Sequence, residues 1–148
     1  MTQPSTATET TITPQDRILV ALDVPTDAAA REVVDEIGHL VGGFKIGLQL
    51  FSSAGPAYVR ELIASGTKVF LDLKFHDIPN TVAMAAVEAA RLGVWMFNLH
   101  ASGEREMMMR THDAVQVVCN REGLAVPKMI AVTVLTSSDS NTLAETGI

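Results

Sequence analysis

The chain predicts an α/β fold of the (β/α)8 TIM-barrel type, with about the first five β/α units present. Three observations predict it. Short, near-continuous apolar runs recur from Ile18 onward, as strands buried on both faces of a parallel sheet should read. Helix-patterned stretches alternate with those runs, strand then helix. Polar residues gather at the C-terminal end of each run, the face where a barrel of this kind builds its site.

The elements follow in order. Residues 1–14 are Thr-rich, lack an apolar stretch and read as a flexible tail, with neither signal-peptide nor transit-peptide character. Residues 15–148 then form one barrel portion. Ile18 to Leu22 is a strand ending at Asp23, and Pro25-Thr26-Asp27 supplies a turn and an N-cap for a helix through Leu40. Gly42-Gly43 breaks the chain before a short strand, Phe44 to Gly47. A helix over Pro56 to Ala64 stops at Gly66. Lys68 to Lys74 is the third strand. Pro79 opens an Ala-rich helix to Leu92, closed by Gly93. Trp95 to His100, a helix from Gly103 to Arg121, and a strand from Met129 to Leu135 complete the pattern. A last helix begins at Ser138, and the chain ends inside it, which reads as the N-terminal part of a longer barrel. No glycine-rich fingerprint follows the first strand, so a dinucleotide-binding sheet is disfavoured. An open doubly wound sheet is the alternative fold.

The segment from Asp72 to Thr81, DLKFHDIPNT, carries the chemistry. Side chains two apart on a strand share a face, so Asp72 and Lys74 stand together, with Asp77 on the following loop. Charges packed this closely are costly unless they neutralise one another or serve a ligand. A structural ion pair would give the same spacing. The other strand ends tip the balance towards a site: Asp23, Lys45, Asn98 with His100, and Thr133 with Thr136.

Composition narrows the function. At 148 residues, 47% hydrophobic and 19% charged, the chain suits a globular domain. A net charge of −6 argues against a nucleic-acid partner, and no apolar run reaches the roughly 20 residues of a membrane span. Cys119 is the single cysteine, which fits a reducing, cytoplasmic setting, and it reads as a buried hydrophobe rather than a reactive thiol. His76 reads as a packing or interface residue. Asp72, His76, Asp77 and His100 resemble a metal set, but Lys74 among them would compete with the ion, so no metal is expected. Met107-Met108-Met109 places one or two side chains in the core and leaves one near solvent. Ser137-Ser138 has no histidine–acid partner in motif context.

LDLKFHDIPNT, together with ALDV at Asp23, KIG at Lys45, NLHASG at His100 and AVTVLTS ending at Ser137, resembles the orotidine 5'-monophosphate decarboxylase family. The resemblance runs from Ile18 to the end. It implies a homodimeric (β/α)8 barrel that makes uridine monophosphate without a cofactor, with sites at the dimer interface. Lys74 would be the proton donor to carbon six of the pyrimidine, and Asp72 would lie beside the departing carboxylate. Asp23 and Lys45 would hold the ribose hydroxyls, with Lys45 also joining Asp72, Lys74 and Asp77 in a charge network. Asp77 and Thr81 would reach the partner's site, and Thr136 would help hold the pyrimidine. The family's phosphate grip comes from later strands, so the 148-residue chain alone is expected to bind the nucleotide weakly and turn over little. Magnesium-dependent sugar-phosphate decarboxylases or aldolases of the same superfamily are the competing reading, sharing D-x-K-x-x-D. Against them stand HDIPNT and Lys45 where a metal ligand is preferred. A non-catalytic half-barrel with exposed strand edges is the third.

Overall fold

The computed structural model describes residues 12–147. The expected flexible tail therefore lies mostly outside the described residues. Its described end is held: the amide and hydroxyl of Thr13 donate to Asp16 Oδ2 at 3.0 and 2.7 Å, and Pro14 leads into a single 3-10 turn, Gln15–Arg17.

The strands are β1 (Leu19–Ala21), β2 (Gly43–Gly47), β3 (Val69–Phe75), β4 (Met96–His100) and β5 (Lys128–Val132). The helices are α1 (Asp27–Ile37), α2 (Leu48–Ala64), α3 (Pro79–Leu92), α4 (Glu104–Glu122) and α5 (Ser140–Thr146). All strand pairs are parallel, and the order across the sheet is β1-β2-β3-β4-β5. A doubly wound sheet must reverse its order at a switch point, whereas a barrel proceeds in chain order. The sheet is therefore of the TIM-barrel type, and the open alternative is set aside.

Alternation within the strands sorts the side chains. Phe44, Ile46, Leu71, Phe97 and Leu99 are essentially fully buried, and Phe44, Ile46, Leu71 and Phe97 join Leu50, Val59, Leu62, Ala86 and Ala90 of α2 and α3 in the main core. Each such large side chain contributes roughly 1.5–3 kcal/mol on burial. Their strand neighbours Lys45, Asp72, Lys74, Asn98 and His100 take the opposite, inner face. Gly43 is required for close strand packing: a Cβ there would stand 2.5 Å from the Lys68 carbonyl oxygen.

Local signals explain most boundaries. Thr26 caps α1 by accepting from the Ala29 amide, and Gly93 ends α3 at φ 86°. The helix expected through Leu40 is α-helical to Ile37 and closes with a 3-10 turn, Gly38–Leu40. Helix α2 departs further from expectation, starting at Leu48 rather than near Pro56. Gly55, at φ 69° and ψ −174°, divides it into two helical pieces, with Pro56 opening the second. The first piece leaves β2 with no side-chain cap, so nothing in the sequence announced it. The fifth strand ends at Val132, short of Leu135, and the final helix begins at Ser140, capped by Asp139, rather than at Ser138.

Glu104, the first residue of α4, has φ 70° and ψ 166°, a backbone region that is essentially glycine's. Glu104→Gly is expected to stabilise the fold by about 1 kcal/mol, strain relief outweighing the added freedom of the unfolded chain. Chemical denaturation checks it. A midpoint that falls would show that the glutamate is held by contacts worth more than its strain.

Candidate active site

Three inner-face strands converge on Asp72. It is 8% exposed, and its carboxylate is fully partnered: Lys74 Nζ donates to Oδ1 at 2.7 Å, Asn98 Nδ2 donates to the same oxygen at 2.6 Å, and Lys45 Nζ stands 3.1 Å from Oδ2. Lys45 also reaches Asp23 Oδ1 at 3.3 Å, beyond the end of β1. The four charged groups thus alternate in sign: Asp23, Lys45, Asp72, Lys74. Burial pushes the Asp72 carboxyl up, but Lys74, Asn98 and Lys45 outweigh it and hold the group below its ordinary range.

The backbone under Lys74 is unusual. Residues Leu71 and Phe75 pair with Phe97 and Leu99, so four steps along β3 face two along β4. Lys74 absorbs the excess at φ 52°, a left-handed conformation rare for a side-chain-bearing residue. Its amide donates to Asn98 Oδ1 at 2.8 Å. Next door, Gly47 presents no side chain to the Lys45–Asp23 pair; a Cβ would stand 3.6 Å from Lys45 Nζ.

The sequence-predicted residues divide into two groups. Asp23, Lys45, Asp72 and Lys74 come together as expected. Asp77, Thr81 and Thr136 do not join them within this chain. Asp77 is exposed, its Oδ1 accepting from the Ile78 amide at 2.6 Å. Thr81 is exposed on the first turn of α3, and Thr136 lies exposed in the turn between β5 and α5. The Asp77 member of the expected network is therefore absent from the cluster formed by this chain. Asn98 was read only as a strand-end residue. Its inward parity, shared with His100 on β4, was the available signal, but spacing within one strand does not disclose a partner on another.

The remaining features are accounted for. His76 stacks on His100, ring centroids 5.3 Å apart, and burial first, then His76 and Lys74, pull the His100 imidazole below its usual value. Met107 is fully buried and Met109 half exposed. Cys119 is buried, and burial raises its thiol. An apolar cavity of about 320 Å³, lined by Phe51, Leu71, Leu73 and Phe75, lies on the helix side of β3, the face away from Asp72. No helix among the described residues is long and apolar enough to cross a membrane.

The chain is similar to known proteins over most of its length. A family model described as orotidine 5'-phosphate decarboxylase / HUMPS family matches residues 16–147. The protein named orotidine 5'-phosphate decarboxylase from Syntrophotalea carbinolica is 50% identical over 132 residues, covering 89% of this chain and 54% of that protein. Its namesake from Geobacter sulfurreducens is 50% identical over 134 residues, covering 90% and 55%. The chain thus spans about half the length of the curated relatives it matches. Among solved structures, orotidine 5'-phosphate decarboxylase from Lactobacillus acidophilus superposes with a TM-score of 0.80 at 36% identity, over 88% of this chain and 58% of that one. The Pyrococcus horikoshii OT3 enzyme, at 22% identity and a TM-score of 0.67 over 85% and 55%, shares the fold. With the matched segment containing every member of the charge cluster, the chain belongs to the orotidine 5'-phosphate decarboxylase / HUMPS family.

Proposed function

We propose that this chain carries the reacting centre for cofactor-free decarboxylation of orotidine 5'-monophosphate to uridine 5'-monophosphate, a cytoplasmic step of pyrimidine synthesis. The observation that carries the reading is Asp72 held between the Lys45 and Lys74 ammonium groups on the inner face of the strands.

The chemistry asks for fixed charge. When the bond from carbon six to the carboxylate breaks, carbon dioxide leaves and the electron pair stays on a ring carbon with no adjacent sink. An ammonium about 4 Å away stabilises that pair by roughly 4 kcal/mol at an effective dielectric of 20, about a thousandfold in rate if realised only in the transition state. Lys74 then donates its proton to carbon six and is reprotonated from solvent. Asp72 orients the Lys74 ammonium and repels the substrate carboxylate, a repulsion relieved as carbon dioxide departs. Preorganisation is the larger effect, since the three donors on Asp72 are already in place. Lys45 and Asp23 are suited to the ribose hydroxyls. The exposure of Asp77 and Thr81 suits residues that complete a partner's site in a homodimer. Thr136 would meet the pyrimidine once the turn after β5 is covered.

The two ammonium groups around Asp72 also weigh against the magnesium-dependent sugar-phosphate reading, because a divalent ion there would meet positive charge on both sides. The test is loss of substrate absorbance in chelator, using the 148-residue chain and the same chain joined to the remaining part of the Syntrophotalea carbinolica relative. The joined protein is expected to turn over without metal and the chain alone to turn over little. A strict magnesium requirement would overturn the assignment.

A further inference from the structure

We propose that Asn98 is a positioning residue that fixes the Asp72–Lys74 pair through its single side-chain amide. The kinetic part of this proposal rests on the decarboxylation reading; the structural part does not.

The irregular stretch of β3 leaves a gap in the ladder with β4, and the Asn98 side chain fills it. Asn98 lies between Phe97 and Leu99, the two β4 residues that bracket the irregularity, and is 3% exposed. Its Oδ1 accepts the Lys74 backbone N–H at 2.8 Å, and its Nδ2 donates to Asp72 Oδ1 at 2.6 Å. The chemistry of the partners dictates this orientation. A backbone N–H can only donate and a carboxylate can only accept, so the amide oxygen must face Lys74 and the NH₂ must face Asp72. No other uncharged side chain of this length supplies both an acceptor and a donor. Leucine would fill the space and satisfy neither partner. Aspartate would keep the acceptor and set a second carboxylate against Asp72.

The backbone link matters because Lys74 is at φ 52°. That conformation is strained for lysine and persists only where surrounding structure holds it. The bond from Asn98 is the polar contact that holds the amide. The second link matters because the shared oxygen, Asp72 Oδ1, also receives Lys74 Nζ. One amide thus sets the backbone that aims the lysine and the carboxylate that receives it.

The two links are separable. NMR on the 148-residue chain gives the amide exchange rate of Lys74 and the titration midpoint of the Asp72 carboxyl for the parent, Asn98→Ala and Asn98→Asp. Asn98→Ala is expected to speed Lys74 exchange roughly tenfold relative to Leu71 and Phe97, and to raise the Asp72 midpoint. Asn98→Asp is expected to leave Lys74 protected while raising that midpoint further. In the joined barrel, either change is expected to lower kcat roughly a hundredfold with KM within a few-fold. Unchanged Lys74 exchange and an unmoved Asp72 midpoint in Asn98→Ala would overturn the proposal. Loss of protection across all of β3 and β4 together would overturn it equally, by making Asn98 a general packing residue. A parent without turnover would sink the decarboxylation reading and leave the NMR result to decide Asn98.

Discussion

Replacing Lys74 with alanine is expected to lower kcat/KM of the joined barrel by at least roughly 10⁴-fold, because in the proposed reaction one side chain would supply both charge and proton. The charge alone accounts for about a thousandfold, and a positioned general acid contributes a further 10² or more. Folding should survive: Lys74 is part-exposed at the end of β3, and its loss leaves Asp72 with Lys45 and Asn98. Lys74→Arg separates the two contributions. A guanidinium keeps the positive charge but does not give up its proton and occupies a different shape. Arginine is therefore expected to recover little. Turnover of Lys74→Ala within tenfold of the parent would remove the lysine from the chemistry.

Asp72→Asn is expected to damage both stability and turnover. It leaves two ammonium groups facing a neutral amide. Removing one partner of a fully buried pair costs about 3–5 kcal/mol. Lys45 and Lys74 are 24% and 30% exposed, so water relieves part of this, and a loss of about 2 kcal/mol is expected by denaturation. Acid should reproduce the effect. The folded-state value of Asp72 is depressed, so its contribution is complete above the ordinary carboxylate value of about 3.9 and is lost as pH falls through the lowered one. Parent and variant should therefore converge in stability at low pH. A constant difference down to the acid transition would place the stabilising charge elsewhere. Affinities for nucleotide analogues with and without the carboxylate, compared in both proteins, measure the repulsive share. If analogues lacking the carboxylate gain nothing relative to those bearing it, repulsion is a poor account.

The strand–helix alternation was legible because each strand is a short, mainly apolar run and α1 and α3 carry their caps in sequence: Thr26 for α1, Pro79 and Gly93 for α3. The first half of α2 was not, because it begins directly from β2 on a glycine that offers no capping side chain. Asp72 and Lys74 were legible as a pair because a period of two needs only one strand. Joining them to Lys45 and Asp23 required the strand-end argument, and the contacts of Lys45 with Asp23 and Asp72 bring the four together. Asn98 stayed hidden for two reasons. Its partners lie 24 and 26 residues away, and the irregularity that creates its role is a property of β3 and β4 together. Asp77 and Thr81 look like ordinary exposed residues in a single chain, so their assignment rests on resemblance.

Strand order identical to chain order has a consequence for how the chain comes into being. Each new strand meets a neighbour already made, so loop closure is short at every step and assembly can proceed from the N-terminus as the polypeptide leaves the ribosome. Such a sheet behaves as a one-dimensional array in which cooperativity passes from unit to adjacent unit. Within the described sheet β2, β3 and β4 have no exposed residue, whereas β1 and β5 at its two edges do. The Asp72–Lys74 pair sits on β3, two strands from either edge of the described sheet, so fraying at those edges leaves it flanked on both sides.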